Sequence, residues 1–181
     1  MRLLVAVFFL ALGAFFLSWD KMIERYHFDF YNKNEPYYAA PVALQSHRLF
    51  LRNDRYGKGY FGASRNGGRV HQGIDLKSPV GGPVLAAKSG RVAAVAQDKG
   101  YGNYIILAHP DGLKSFYAHL LDSNVREGAW VSQNQCMARI GKTGNAANPR
   151  ILSHLHFEIR QGDKSLNPSD PRLLNPGISV Q

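Results

Sequence analysis

Between residues 153 and 160 the chain alternates without a break. Leu155, Phe157 and Ile159 hold the odd positions, and His154, His156, Glu158 and Arg160 the even ones. A period of two is that of a strand with one face on a core. Shorter stretches of the same kind, separated by glycine turns, fill the chain from Leu49 onward. Strands are predicted over 83–87 after Gly81-Gly82, 90–96 after Lys88-Ser89, and 103–108 before the Pro110-Asp111-Gly112 turn. Residues 114–120 complete a hairpin with 103–108, and shorter pieces follow at 130–131 and 137–140. Within 114–120, alternation puts Ser115, Tyr117 and His119 on one face and Phe116, Ala118 and Leu120 on the other. No window after residue 20 carries a helical stripe. The expected fold class is mostly β, an antiparallel sheet or sandwich, preceded by an N-terminal hydrophobic helix.

That helix is read from the start of the chain. Met1-Arg2 precede an apolar run from Leu3 to Leu17, interrupted only by Gly13 and closed by Ser18-Trp19 before Asp20-Lys21. A short basic start and an apolar stretch form the pattern of an export signal. As a helix, 3–19 would reach roughly 25 Å, slightly short of the ~30 Å hydrocarbon core. Residues 1–19 are therefore either a signal peptide, removed near Ala11-Leu12-Gly13, or a signal-anchor transmembrane helix. Either exports the rest of the chain to the periplasm or cell envelope, and the second anchors it in the cytoplasmic membrane. Residues 20–45 read as a connector carrying Tyr26, Phe28, Phe30, Tyr31, Tyr37 and Tyr38. These rings either pack on the domain or lie at a membrane interface. The domain is expected over 46–175, with a tail at 176–181.

Composition narrows the partner. With 45% hydrophobic and 19% charged residues in 181, the chain can bury a core, which excludes wholesale disorder. Lys and Arg total 22 against 13 Asp and Glu, a formal charge of +9 that points to a polyanionic partner. Nucleic acid, an acidic membrane surface and an acidic cell-wall polymer all qualify by charge. Charge is the whole case for nucleic acid, and the export signal opposes it, so no nucleic-acid partner is expected. The single cysteine, Cys136, excludes an internal disulfide and a CxxC metal site.

Histidines carry the chemistry. His154 and His156 point the same way with Cβ atoms ~7 Å apart, which suits one metal ligand beside one group acting on a water. His71-Gln72-Gly73-Ile74-Asp75 adds a second pair. Residues four apart on a straight strand are ~13 Å apart, too far for one ion, but Gly73 lets the chain bend. Two histidines and an aspartate make a suitable catalytic zinc shell, leaving a fourth position open. The loop Gly57-Lys58-Gly59-Tyr60-Phe61-Gly62 is expected to border a groove. Lys142-Thr143 fails as a P-loop because Cys136 stands where its first glycine belongs. Ser18-x-x-Lys21 fails as a serine-enzyme motif because it ends the apolar run. His109, between a strand and Pro110, reads as structural, and His27 and His47 have no evident partner.

Several ordered motifs together resemble the lysostaphin/LytM family of zinc metallopeptidases, peptidase family M23. They are His71-x-x-x-Asp75, Tyr117-Ala118-His119-Leu120 and His154-Leu155-His156-Phe157-Glu158, with Gly81-Gly82-Pro83-Val84, Gly90-Arg91-Val92, Tyr101-Gly102-Asn103 and Gly141-Lys142-Thr143-Gly144. The similarity runs from about Phe61 to Leu174 and includes Leu166-Asn167-Pro168. It implies a β-sheet groove and one Zn2+ ion held by His71, Asp75 and His156. His119 and His154 would be the catalytic histidines. The implied function is endopeptidase cleavage of peptidoglycan peptide stems by a metal-activated water. With no HExxH motif, one of His119 and His154 is expected to act as general base and the other to hydrogen-bond the oxyanion. Sequence leaves their division open. Glu158 either orients a ligand from behind or is a plain surface carboxylate. The family's Phe-Gly-x-Arg stands here as Phe61-Gly62-Ala63-Ser64-Arg65, with the arginine displaced by one, so Arg65 has no assigned role. The alternative function is a non-catalytic member of the same fold that binds peptidoglycan or activates another hydrolase. Such members would be expected to lack ligands, whereas all five residues stand here.

Overall fold

Strands in this computed structural model run, in chain order, as β1 (Arg48–Leu49), β2 (Asn53–Asp54), β3 (Gly57–Lys58), β4 (Ile74–Lys77), β5 (Pro83–Leu85), β6 (Gly90–Asp98), β7 (Gly102–Ala108), β8 (Lys114–Ser123), β9 (Trp130–Val131), β10 (Cys136–Ile140), β11 (His154–Gln161), β12 (Lys164–Leu166) and β13 (Ser179–Val180). The structure describes residues 19, 22–23, 25–26, 28–44 and 46–181. Nine strands form one sheet with the path β12-β11-β8-β7-β6-β9, onto which β4, β5 and β10 pair. Every pairing in that sheet is antiparallel. The mostly β expectation holds, and the long predicted strands appear near their expected positions.

β11 is the axis of the site. It is flanked by β8 on one edge and by β4 and β12 on the other. Its odd residues face the core, where Leu155, Phe157 and Ile159 meet Leu76, Ile74 and Tyr117. Of its even residues His154, His156 and Glu158 are buried as well, because they face a polar groove rather than open solvent, and Arg160 is half-buried.

Two expected boundaries move. Residues 37–44 of the expected connector pack on the domain, the first of the two alternatives for its aromatics: Tyr38, Ala40 and Val42 are buried in the core. Tyr38 bridges Leu174, and Val42 bridges Val84. The expected tail also joins the domain, since β13 pairs in parallel with β1. By contacts the chain divides into Met1–Pro36 and Tyr37–Gln181.

The first unit holds a helix that periodicity does not reveal. Residues 28–34 are helical and end before Pro36, which lacks the N–H a helix needs and disfavours helix in the residue before it. Phe28 and Phe30 are exposed, and so are Tyr26 and Met22 upstream. No single face of this segment is buried, so no stripe marks it. Among the described residues no helix is long and apolar enough to cross a membrane. The run expected as a signal or anchor lies, but for Trp19, outside the described residues.

His109 is built into the core as expected. Its Nδ1 donates to the Ser89 carbonyl at 3.0 Å and its Nε2 meets Ser115 Oγ at 2.7 Å.

Candidate metal centre and its groove

His71 precedes β4, and the chain bends at Gly73 before Asp75 enters the strand. A Cβ at Gly73 would overlap the Phe157 carbonyl and approach Glu158 Cγ to 2.7 Å, so this position also needs a missing side chain. The β4–β11 register then sets Asp75 directly opposite His156, and antiparallel partners share a face. Three atoms converge. His71 Nε2 lies 2.9 Å from Asp75 Oδ1, His156 Nδ1 lies 2.8 Å from the same oxygen, and the two nitrogens are 3.0 Å apart.

The other nitrogen of each ring fixes its tautomer. His71 Nδ1 is 2.9 Å from the Tyr60 carbonyl, which can only accept, so Nδ1 carries the proton and Nε2 the lone pair. His156 Nε2 is 2.8 Å from Glu158 Oε1, and the same logic aims a lone pair from Nδ1 at Asp75. A carboxylate oxygen and two imidazole lone pairs thus face one another, and such a cluster requires a cation or a proton among them. Burial lowers His156, but its bonds to Asp75 and Glu158 outweigh that and raise it to about 9. Burial opposes ionisation of Asp75, yet the bonds to His156 and His71 hold its carboxyl well below the usual range. Four-coordinate zinc with bonds of ~2.0–2.2 Å needs ligand atoms roughly 3.3–3.5 Å apart, a few tenths of an ångström wider than this triangle. His71, Asp75 and His156 therefore fit a zinc ion in donor chemistry and spacing, and they form the one such cluster found among the described residues.

Two further imidazoles face the same groove. His154 Nδ1 donates to the Leu152 carbonyl at 2.7 Å, and its Nε2 lies 3.8 Å from Asp75 Oδ1. His119 Nδ1 donates to the Thr143 carbonyl at 3.0 Å, leaving Nε2 as its lone-pair nitrogen. Their ring centroids are 5.0 Å apart. Burial, then the neighbouring His154 and His156, pushes His119 down to about 3. Burial also lowers His154, with Asp75 acting against it.

His119 reaches the groove by breaking the alternation of β8. Ser115 and Tyr117 lie on the core face and Phe116 and Ala118 on the groove face, with His156 opposite Ala118. Strict alternation would send His119 into the core. Between the pairs Asn103–Leu120 and Ile105–Tyr117, β8 instead carries one residue more than β7. His119 takes φ 64°, so the extra residue is a bulge that turns its side chain out and returns Leu120 to the core. The expected grouping of His119 with Ser115 and Tyr117 is thereby corrected.

The groove has a volume of about 640 Å³, with Tyr56, Arg69, Val70, Gln72, Asn145 and Ile151 among its walls. Its rim on one side is 68–72 rather than the glycine loop 57–62, which tucks behind Asp75. Gly59 accepts from the Asp75 backbone N–H at 2.8 Å and donates to the Arg52 carbonyl at 2.7 Å.

The model of peptidase family M23 matches residues 69–168, which contain His71, Asp75, His119, His154, His156 and Glu158. The chain belongs to peptidase family M23. It is 40% identical over 109 residues to the murein hydrolase activator NlpD of Escherichia coli, covering 60% of this chain and 27% of that protein. It is 33% identical over 111 residues to the DD-carboxypeptidase/endopeptidase Mpg of Neisseria meningitidis, covering 61% of this chain and 25% of Mpg. The chain thus spans about a quarter of the length of these relatives. A zinc-containing peptidase from Vibrio cholerae superposes with a TM-score of 0.55 at 27% identity, over 70% of this chain and 40% of that one.

Within this M23 domain the structure brings all six sequence-derived residues to one groove. Glu158 is no surface carboxylate: at 1% exposure it bonds His156, accepts from Tyr101 at 3.0 Å, and meets Arg160 Nε at 2.6 Å. Sequence reading missed Arg52, Arg65, Tyr101, Thr143 and Arg160. Arg160 had a signal as the last even position of the β11 alternation, Tyr101 and Thr143 stood in quoted motifs and Arg65 in the displaced Phe-Gly-x-Arg without a role, and Arg52 had none. Lys142-Thr143-Gly144, empty as a phosphate loop, works as a latch: Thr143 Oγ1 donates to the Leu120 carbonyl and accepts from the Asn103 N–H, each at 3.0 Å.

Proposed function

We propose that the chain is a zinc-dependent endopeptidase that hydrolyses peptide cross-links of bacterial peptidoglycan. The observation that carries this reading is the set of four locked imidazoles. Each commits one N–H to a carbonyl or carboxylate outside the cluster, which leaves its other nitrogen to offer a lone pair, in His156 once an ion replaces the proton shared with Asp75. Two of those lone pairs join Asp75 Oδ1 as donors for the ion, and two remain for proton transfer. Zinc bound there supplies Lewis acidity, polarising a scissile carbonyl and acidifying a water.

The chain's own residues do the rest. Burial keeps His119 and His154 neutral, so each begins as a proton acceptor. One takes the proton of the attacking water at Nε2 and passes it to the leaving amine. Because Nδ1–H is already committed, neither ring can donate to a developing oxyanion through Nε2 until it has taken up a proton. Glu158 holds His156 from behind, itself held by Tyr101 and Arg160. The net charge of +9 suits the anionic stem peptides.

The test is a digest of intact peptidoglycan by the zinc-loaded chain. Release of soluble muropeptides with new amine ends is expected, abolished by chelation and restored by zinc. No release by a chain that binds both zinc and wall overturns the reading. Likeness to a murein hydrolase activator favours a second one, in which the domain stimulates another hydrolase. Muropeptides would then appear only when that hydrolase is added, and His154→Ala would stimulate as well as the unaltered chain. The apolar 3–19 run supports a place in the cell envelope for this chain. Retention of Met1 in a membrane fraction marks an anchor, whereas a start near Ala14 marks a removed signal.

A further inference from the structure

Asp75 has a second oxygen, and the structure spends it entirely on arginine. Oδ2 accepts from Arg52 Nη2 at 2.8 Å, from Arg52 Nε at 3.3 Å and from Arg65 Nη2 at 3.1 Å. A carboxylate has about four lone-pair sites, two to each oxygen, so three N–H groups saturate this one. Oδ1 alone faces His71 and His156.

The donors are themselves fixed. Arg52 is 5% exposed, and its Nη1 meets both oxygens of Asp54 at 2.9 and 3.0 Å. Its backbone N–H donates to the Asp75 carbonyl at 2.7 Å, and Leu51 bridges Leu76 beside it. A Cβ at Gly59 would come within 2.7 Å of the Arg52 carbonyl and 2.8 Å of that of Asp75, so glycine there permits the close approach. Arg65 is tethered by Nη1 to the Lys58 carbonyl at 2.9 Å. Both arginines precede the 69–168 region matched by the family model.

We propose that Arg52 and Arg65 are positioning residues that hold Asp75 as a one-oxygen metal ligand. They keep Oδ2 turned away from the site and balance the carboxylate's charge, so that a cation bound at Oδ1 retains more of its own. Asp54 acts one step further back by holding Arg52. This inference rests on the metal site of the proposed function but not on hydrolysis.

The experiment loads the full chain with cobalt(II), whose visible spectrum reports coordination number, and measures metal affinity by chelator competition. The variants are Arg65→Met, at a partly exposed position, and Arg52→Lys, which keeps charge but loses the two-nitrogen grip. Both should stay folded by circular dichroism. In Arg65→Met the cobalt bands should weaken as Oδ2 joins the ion and the coordination number rises, a readout that a merely structural role would not move. Arg52→Lys should show the same change, and Arg65→Lys should recover part of the loss. Folded variants with the spectrum and affinity of the unaltered chain would overturn the clamp while leaving the metal site standing. An unaltered chain that binds no cobalt or zinc would overturn both. Changed spectra in a chain that digests no wall would support the clamp and reject only the hydrolase.

Discussion

His119 Nδ1 donates to the Thr143 carbonyl across 3.0 Å, and this bond decides which nitrogen of His119 can exchange a proton in the groove. His154 is fixed in the same way by Leu152. Neither belongs to the donor triangle, so proton transfer and metal holding can be separated by mutation. His119→Ala and His154→Ala should retain about one zinc per chain and the circular dichroism of the unaltered protein. Muropeptide release should fall by about 10²- to 10⁴-fold, the usual cost of losing a general acid or base. The core beneath them, Leu120, Leu155 and Phe157, is untouched. Release near the unaltered rate from both variants would leave these histidines without a role in the reaction.

The donor triangle makes the opposite prediction. His71→Ala, Asp75→Ala or His156→Ala removes one of three ligands, and each variant should lose zinc and hydrolysis together. Metal analysis after dialysis checks this, and full occupancy in all three would refute the ligand set. Asp75→Ala should also lower the melting temperature, because it takes the acceptor from Nε and Nη2 of the buried Arg52 and leaves Asp54 as that side chain's remaining ion-pair partner.

How much of this was legible in the sequence depends on how local each signal was. β11 could be read residue by residue, because its period-two pattern separates the side chains that face the core from those that face the groove. His119 was found as a residue but placed on the wrong face. A one-residue bulge leaves no mark in an alternation of Phe, Tyr, Ala, His and Leu, and it inverts every side chain beyond it. The Asp75 clamp was invisible for another reason. Arg52 lies 23 positions from Asp75, and only folding brings them together. The helix at 28–34 escaped because an exposed helix has no buried stripe, whereas the strap at 37–44 looked like a linker because Pro36 and Pro41 interrupt any period.

Gly73 offers a test of the local geometry. A methyl group there would overlap the Phe157 carbonyl, backbone that cannot swing aside. Gly73→Ala should force β4 away from β11 and cost about 1–3 kcal/mol, as overpacking does. Since Asp75 and His156 face each other across that gap, zinc affinity should fall along with the melting temperature. A variant with unchanged melting and unchanged affinity would show that the two strands part freely.

The strap gives a boundary test. Tyr38 and Val42 are 2% and 3% exposed, and the strap is bonded to Leu173, Ala87, Asn175 and Leu85 through backbone groups. Burying one large apolar side chain contributes about 1.5–3 kcal/mol. A chain of residues 46–181 should therefore melt well below one of residues 37–181. Equal melting temperatures would mean that the strap adds nothing to the fold.

The last prediction concerns acid. Lys88 Nζ donates to Asp111 Oδ2 at 2.8 Å, with side-chain exposures of 3% and 16%. The Tyr38 hydroxyl adds a bond to the same oxygen at 3.2 Å, and the Lys88 ammonium lies 5.2 Å from the centre of the Tyr38 ring. Burial by itself raises Asp111, but the bond to Lys88 and its charge outweigh that and lower the carboxyl below its ordinary value. With the folded pKa depressed, the unfolded chain takes up the proton first as pH falls. The stability this group contributes is complete above the unfolded carboxylate value of ~3.9 and is lost as pH drops through the folded value. Asp111→Asn removes the titrating group and strands the Lys88 charge, so at pH 7 it should cost about 3–5 kcal/mol. Its melting temperature should then change less than that of the unaltered chain as pH falls below ~4, and the two curves should converge. Thermal melts of both proteins across that range make the comparison. Parallel curves would show that the pair does not couple folding to this proton.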